Sequence, residues 1–146
     1  MKLLLIALLG ILPVSKGNWL VDFDEAKRIA RVEHKYILLY FSGSDWCGPC
    51  IQLRKEIFET ETFNNFAGER LVLLNADFPR SKKHTLNKEQ QKKNDQLAES
   101  YNPKGVFPFV ILLTAQGTPV HSWEGLPVVS ASEFIAEIQI IMNASK

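Results

Sequence analysis

The chain has two cysteines, Cys47 and Cys50, which lie in the stretch SDWCGPC with only Gly48 and Pro49 between them. A disulfide stabilises a protein mainly by closing a long loop in the unfolded chain, and this one would close almost none. The spacing therefore favours a pair that undergoes reversible thiol–disulfide exchange over a structural staple.

A metal centre is the other chemistry that two close cysteines can support. A structural zinc site needs four ligands. The chain adds three scattered histidines, His34, His84 and His121, and none of them pairs with another at ligand spacing. We therefore expect no metal at the cysteines, and we assign none of the histidines a role.

The elements around the cysteines suit thiolate chemistry. The run YILLYF (36–41) is typical of a buried strand, and IQLRKEIFE (51–59) has apolar residues at helical spacing. The free amides and the positive dipole end of a helix N-terminus stabilise a thiolate. We expect Cys47 to be the attacking thiol at an exposed tip, and Cys50 to be the shielded resolving thiol. Pro49 suits a first helical turn, where its missing N–H would have no partner.

The rest of the chain predicts an α/β fold around a mixed central sheet. Alternating strands and helices imply parallel pairing, and a closing hairpin adds an antiparallel edge. The predicted order is helix (22–34), strand (36–41), helix (51–59), strand (71–75), helix (87–101), strand (109–113), strand (119–125) and a last helix opening at Ser130.

The sequence DWCGPC after ILLYF resembles the active-site stretch of the thioredoxin family, and the order of elements is similar to the thioredoxin fold. The resemblance covers about residues 24–143 and implies helices on both faces of the sheet. It also implies that Cys47 and Cys50 are the redox centre and that no other cofactor is needed. The other motif residues that it implicates are Trp46, Gly48 and Pro49.

A second feature carries the same resemblance. The stretch GVFPFVILL places Pro108 just before a strand, where thioredoxins have a cis-proline that faces the cysteines. The resemblance implies a substrate groove formed by Phe107, Pro108 and Gly125. The backbone before the proline would be free to pair with a substrate strand, and Phe107 would set specificity.

Two positions depart from the family pattern. Tyr40 stands where thioredoxins have a buried aspartate that serves the inner cysteine, and Leu73 stands where its lysine partner is usual. Without a base nearby, Cys50 should deprotonate less readily and resolve mixed disulfides more slowly. Asp45 and Glu124, acting through water, are the candidates to replace the aspartate.

A basic stretch, PRSKKHTLNKEQQKKN (79–94), is longer than the usual connection in the family. It holds six lysines and arginines against Glu89 alone, which gives a local charge of +5. A solvated loop and helix face is the simplest interpretation, and docking of an acidic partner protein is the alternative.

The N-terminal stretch MKLLLIALLGILPVSKG (1–17) has the charge, apolar run and small residues of a secretory signal peptide. The run is shorter than the roughly 20 apolar residues that span a bilayer. We expect cleavage after Gly17, which leaves a thioredoxin-like domain at 18–146, and an uncleaved anchor remains the alternative. Export places the cysteines where disulfides persist.

The sequence thus predicts an exported, periplasmic or extracytoplasmic thiol–disulfide oxidoreductase that acts on cysteine pairs of other exported proteins. It resembles the exported thioredoxin-like proteins of bacteria, and Gly-Pro between the cysteines resembles their reducing relatives. A reductant would need an upstream donor, for which a membrane-bound reductase is expected. The net charge of +1 does not indicate nucleic acid or a membrane surface as the main partner. We expect a monomer.

Two alternatives stay open. The direction of exchange is one, because an oxidant or an isomerase can carry the same motif. The other is a thioredoxin-fold binding module, in which a groove around Trp46, Phe107 and Pro108 holds a partner and the cysteines are non-catalytic or regulatory.

Overall fold

The structure is a computed structural model that describes residues 17–145. The predicted signal peptide at 1–17 therefore lies outside the described residues except for Gly17. No helix within 17–145 is both long enough and apolar enough to cross a membrane.

Strands and helices alternate along most of the described chain. In order they are β1 (Trp19–Leu20), α1 (Phe23–Glu33), β2 (Tyr36–Ser42), α2 (Gly48–Leu53), α3 (Glu61–Arg70), β3 (Leu71–Asp77), α4 (Lys88–Tyr101), β4 (Phe109–Leu113), β5 (Pro119–Glu124) and α5 (Ala131–Ala144). A π-helical turn (Arg54–Phe58) continues α2, and a 3-10 turn (Lys82–His84) precedes α4. The predicted elements are all present, but β1 and α3 were not predicted.

The strands form one mixed sheet in the order β1-β3-β2-β4-β5. The pairs β1–β3 and β3–β2 are parallel, whereas β2–β4 and β4–β5 are antiparallel. The two-residue strand β1 forms one edge and β5 forms the other. In the β2–β3 register Ser42 lies opposite Asp77, so the carboxyl ends of these two strands meet beside the cysteine turn.

Helices cover both faces of the sheet because successive side chains of a strand point to opposite faces. On β2, Leu38 and Tyr40 pack in a cluster with the buried residues of α2, α3 and α5. The alternate residues Ile37, Leu39 and Phe41 pack in a second cluster with α1 and α4. The predicted thioredoxin fold, a mixed sheet flanked by helices on both faces, is confirmed.

Polar caps fix where the helices begin. The carboxylate of Asp22 accepts from the amide of Glu25 at 2.9 Å and opens α1. The Glu25 carboxylate binds the Arg28 guanidinium rather than the Asp22 amide, so this cap is one-sided. At α5 the bonds are reciprocal, since Ser130 and Glu133 each accept from the amide of the other.

Candidate active site

A disulfide joins Cys47 and Cys50 at the junction of β2 and α2, with 5.2 Å between the two Cα atoms. Cys47 is the N-cap of α2, and its sulfur accepts from the amide of Cys50 at 3.2 Å. The amide of Cys47 donates to the carbonyl of Gly43 at 2.9 Å, which closes the preceding turn. A sulfur that already accepts from a helix-start amide is in a position that stabilises its thiolate.

The two cysteines differ in exposure, but less than we expected. Cys47 is 5% exposed and Cys50 is 1% exposed. Gly48 and Pro49 form the exposed tip between them, in the first turn of α2. The prediction that Cys47 itself lies at an exposed tip is wrong, because Trp46 and other apolar side chains pack against the cluster that contains both cysteines.

The indole of Trp46 is held in place on several sides. Its Nε1 donates to the carbonyl of Phe78 at 2.7 Å, and its ring lies 5.5 Å from that of Phe107. The backbone of Gly43 passes so close that a Cβ there would lie 2.6 Å from Cζ2 and 2.7 Å from Nε1 of the indole. Glycine is therefore the residue that permits this placement of Trp46.

The predicted groove residues lie together beside Trp46. The Phe107–Pro108 peptide bond is cis, as the resemblance implied. The Phe107 ring packs against Trp46 and lies 5.6 Å from Phe78. The carbonyl of Pro108 accepts from the amide of Gly125 at 2.9 Å, and Gly125 has the positive φ of 77° that favours glycine.

Tyr40 occupies the position where the resemblance led us to look for a buried acid. It is 4% exposed, and its hydroxyl donates to the carbonyl of Cys50 at 2.9 Å. Burial raises the pKa of the Tyr40 hydroxyl well above its ordinary value, so the group stays neutral. Leu73 packs in the same apolar cluster. Tyr40 therefore fixes the backbone at Cys50 but supplies no base.

A small polar pocket of about 40 Å³ borders Cys50. A pocket of this size, with several polar groups in its wall, has room for a water molecule. Its lining residues are Tyr40, Ser42, Ser44, Cys50, Ile51, Arg54 and Asn75.

Asp77, at the end of β3, orders the turn that leads to Cys47. Its Oδ1 accepts from the Ser42 hydroxyl and the Ser44 amide, each at 2.9 Å, and its Oδ2 accepts from the Ser44 hydroxyl at 2.5 Å. Sequence reasoning missed this role. The signal that points to it is a polar residue at the end of each neighbouring parallel strand.

The Asp45 carboxylate binds residues 80–84. Its carboxylate accepts from the amides of Arg80 and Ser81 at 2.9 and 2.8 Å and bonds Nδ1 of His84 at 3.0 Å. These hydrogen bonds lower the pKa of Asp45, and the bond from the Arg80 amide has the largest effect. Asp45 thus anchors residues 80–84, and it does not line the pocket beside Cys50, so the geometry gives no support to it as the substitute base. Glu124, the other candidate, is exposed at the end of β5.

Most of the basic stretch is exposed, as expected for a solvated loop and helix face, but its beginning also contacts the active-site turn. The guanidinium carbon of Arg80 lies 3.7 Å from the centre of the Trp46 ring. Farther along, Lys93 pairs with Asp22 and Glu89.

Within 17–145 no three His, Cys, Asp or Glu residues are grouped so that they could hold a metal ion.

Comparison with known proteins agrees with this geometry. A family described as the thioredoxin-like domain matches residues 23–140. The disulfide bond reductase DsbH of Chlamydia pneumoniae is 37% identical over 107 residues, which cover 72% of this chain and 62% of that protein. The thioredoxin-related protein DsbJ of Chlamydia pneumoniae is 32% identical over 73 residues, or 50% of this chain and 21% of that protein.

Among solved structures, a protein described as DsbH oxidoreductase superposes with a TM-score of 0.81 at 28% identity, and the match covers 93% of this chain and 92% of that one. The chain spans less than two thirds of the length of the two curated relatives that it matches.

Proposed function

The chain belongs to the thioredoxin-like domain family, and on that premise we propose that it is a thiol–disulfide oxidoreductase whose redox group is the Cys47–Cys50 pair. One observation carries the proposal: the sulfur of Cys47 accepts from the amide of Cys50 at the start of α2. That amide stabilises negative charge on the outer sulfur, which makes Cys47 the better nucleophile and the better leaving group.

The exchange needs two displacements at sulfur. The Cys47 thiolate attacks one sulfur of a substrate disulfide, and the other substrate sulfur leaves as a thiolate. The thiolate of Cys50 then attacks Cys47, which breaks the mixed disulfide and releases the second substrate thiolate. Two electrons pass to the substrate, which takes up two protons, and the Cys47–Cys50 disulfide forms.

The groove beside the disulfide supports binding of an extended substrate segment. Among residues 17–145, the backbone amide and carbonyl of Phe107 have no hydrogen-bond partner. These groups are thus available to pair with a substrate strand, as in β-strand addition. Phe107, Pro108 and Gly125 form this groove, and the Phe107 ring contacts the substrate residues next to the reactive cysteine.

We assign the direction as reduction of disulfides in exported proteins. The Gly48–Pro49 pair and the similarity to a protein described as a disulfide bond reductase support this direction. Each turnover leaves the Cys47–Cys50 pair oxidised, so a membrane-bound reductase returns it to the dithiol. The cysteine pair needs no additional cofactor, and the protein acts as a monomer without nucleic acid.

The extracytoplasmic location rests on the composition of residues 1–17. Separation of cell fractions, with an antibody against the chain, tests it. Recovery in the cytoplasmic fraction with an intact N-terminus would contradict export.

The reduction potential of the Cys47–Cys50 pair tests the activity and its direction. We would equilibrate the purified protein with graded thiol/disulfide buffers and quantify the reduced fraction. A potential near −270 mV, that of thioredoxin, supports a reductant, and one near −120 mV would reverse the direction. A pair that does not exchange with the buffers at any ratio would refute the oxidoreductase.

A binding module is the second candidate, and the neutral Tyr40 beside Cys50 favours it. Serine variants separate the two functions. In an oxidoreductase, Cys47→Ser abolishes exchange and traps no substrate, whereas Cys50→Ser accumulates mixed disulfides through Cys47. Partner binding that survives the loss of both thiols would instead indicate a binding module.

A further inference from the structure

The two residues that precede Cys47 both bind one distant segment, residues 78–84. Asp45 accepts from two backbone amides of this segment, and Trp46 donates to the carbonyl of Phe78. The 78–84 segment is therefore fixed against the active-site turn through its backbone groups.

Arg80 is the residue of this segment that contacts the active-site turn with its side chain. Its backbone amide is held by Asp45, and its guanidinium lies on the face of the Trp46 ring at 3.7 Å. Stacking on an indole covers one face of a guanidinium and leaves the N–H groups at its edge directed outward. Among residues 17–145 the guanidinium makes no hydrogen bond or ion pair, and Arg80 is exposed.

The charges around Arg80 are mostly positive. Lys82 and Lys83 follow it and are exposed, and neither has an ion-pair partner within the described part of the chain. The acid bound to this segment is Asp45, and its two oxygens already accept from two amides and face His84. Arg80 thus presents a positive charge beside the Cys47 turn without a carboxylate of its own.

We propose that Arg80 is a specificity-determining residue that binds a carboxylate of the substrate near its reactive cysteine. The edge of a guanidinium matches both oxygens of a carboxylate, and its orientation here is already set by Trp46. Lys82 and Lys83 raise the local concentration of acidic substrates without fixing their orientation. The occupant is therefore an Asp or Glu side chain of an extended substrate segment. This inference rests on the proposed exchange activity.

Three matched peptide disulfides test the proposal. They differ only in the residue beside each cysteine, which is Glu, Gln or Lys. The measurement is the second-order rate constant for oxidation of the reduced protein. We expect the Glu peptide to react about five-fold faster than the Gln peptide at low salt, the effect of one exposed charge pair. The Lys peptide should react more slowly than both.

Variants separate a local contact from general attraction. Arg80→Gln should remove most of the preference for the Glu peptide, and Arg80→Glu should reverse it. Arg31→Gln removes the same charge from an exposed position on α1 and should leave the preference intact. Raising the ionic strength from about 0.01 M to about 0.15 M should reduce the preference of the unmodified protein by more than it reduces the smaller preference of Arg80→Gln.

Equal rates for the three peptides with the unmodified protein would overturn the role of Arg80 and leave the oxidoreductase intact. A preference that survives Arg80→Gln undiminished, or that Arg31→Gln removes equally, would also overturn it. No reaction with any peptide would refute the exchange activity itself.

Discussion

Replacing Gly43 by alanine should displace Trp46 from the active-site turn. A Cβ at this position would lie 2.6 Å from Cζ2 and 2.7 Å from Nε1 of the indole. The ring has no equivalent position, because it is held by the Phe78 carbonyl, the Phe107 ring and the Arg80 guanidinium. Either the backbone at residue 43 or the Trp46 indole must therefore move, and the indole is the one that can rotate.

The expected loss follows from the contacts that the indole makes. The 2.7 Å hydrogen bond to Phe78 contributes about 1 kcal/mol. The edge-to-face pair with Phe107 contributes about 1 kcal/mol, and the exposed stacking of Arg80 contributes about 0.5 kcal/mol. Gly43→Ala should therefore lower the free energy of unfolding by about 2 to 3 kcal/mol.

Urea unfolding of the oxidised protein measures this loss, with tryptophan fluorescence and circular dichroism as signals. Gly68→Ala is the matched control, because a Cβ at Gly68 meets nothing within 4 Å and the residue lies inside α3. That variant should gain up to about 1 kcal/mol, since alanine has the higher helix propensity. If Gly43→Ala is as stable as the unmodified protein and its native fluorescence is unchanged, the close packing of Trp46 on the turn is refuted.

Three further variants test single contacts. Tyr40→Phe removes the hydrogen bond to the Cys50 carbonyl and should lower the free energy of unfolding in urea by about 1 kcal/mol. The rate of thiol–disulfide exchange should change less than two-fold, because the Tyr40 hydroxyl is neutral. A rate that is ten-fold slower would instead give Tyr40 a role in proton transfer. Asp45→Asn should weaken the anchoring of residues 80–84 and speed hydrogen exchange of the Arg80 amide. Hydrogen bonds lower the pKa of Asp45 in the folded protein. The stabilisation that its carboxylate provides is therefore fully present above the pKa of Asp45 in the unfolded chain, about 4, and is lost as the pH falls through its pKa in the folded protein. Unfolding midpoints between pH 7 and pH 2 should therefore show a smaller acid loss in Asp45→Asn than in the unmodified protein, and equal losses would contradict this. Ser130→Ala removes the N-cap of α5 and should cost about 1 kcal/mol, measured by urea unfolding; no change would mean that packing alone fixes this helix start.

The elements that could be predicted are those whose signal is local. The strand at 109–113 is a continuous apolar run, and the structure places β4 at those residues. Ser130 and Glu133 have capping spacing, and α5 begins immediately after Ser130. The turn around Cys47 was predicted for the same reason, since the motif lies between an apolar run and a helical pattern.

The two missed elements have weaker local signals. β1 has only two residues, too few for any periodicity. α3 buries Phe63, Asn64 and Ala67, so a polar residue lies on its inner side and the apolar pattern is weak. β1 is fixed by pairing with β3, and α3 is fixed by its Thr60 cap together with the burial of Phe63 and Ala67.

The roles of Asp77 and Asp45 could not be read from spacing. Asp77 reaches the cysteine turn because the β2–β3 register places it opposite Ser42, and that register depends on the folded sheet. Asp45 binds Arg80 across 35 positions of sequence. The charge of the basic stretch can be read from its residues, but only the tertiary contact shows that Arg80 lies on Trp46, the residue before Cys47.

The two edges of the sheet bear on whether copies of this chain adhere to one another. An open edge strand is a template for pairing with a second chain, and short strands and charged or proline-bearing edges reduce that tendency. Here β1 offers only two residues, and β5 begins with Pro119, ends with Glu124 and has mostly exposed side chains. Edge-to-edge growth into larger assemblies is therefore disfavoured at both ends of the described sheet.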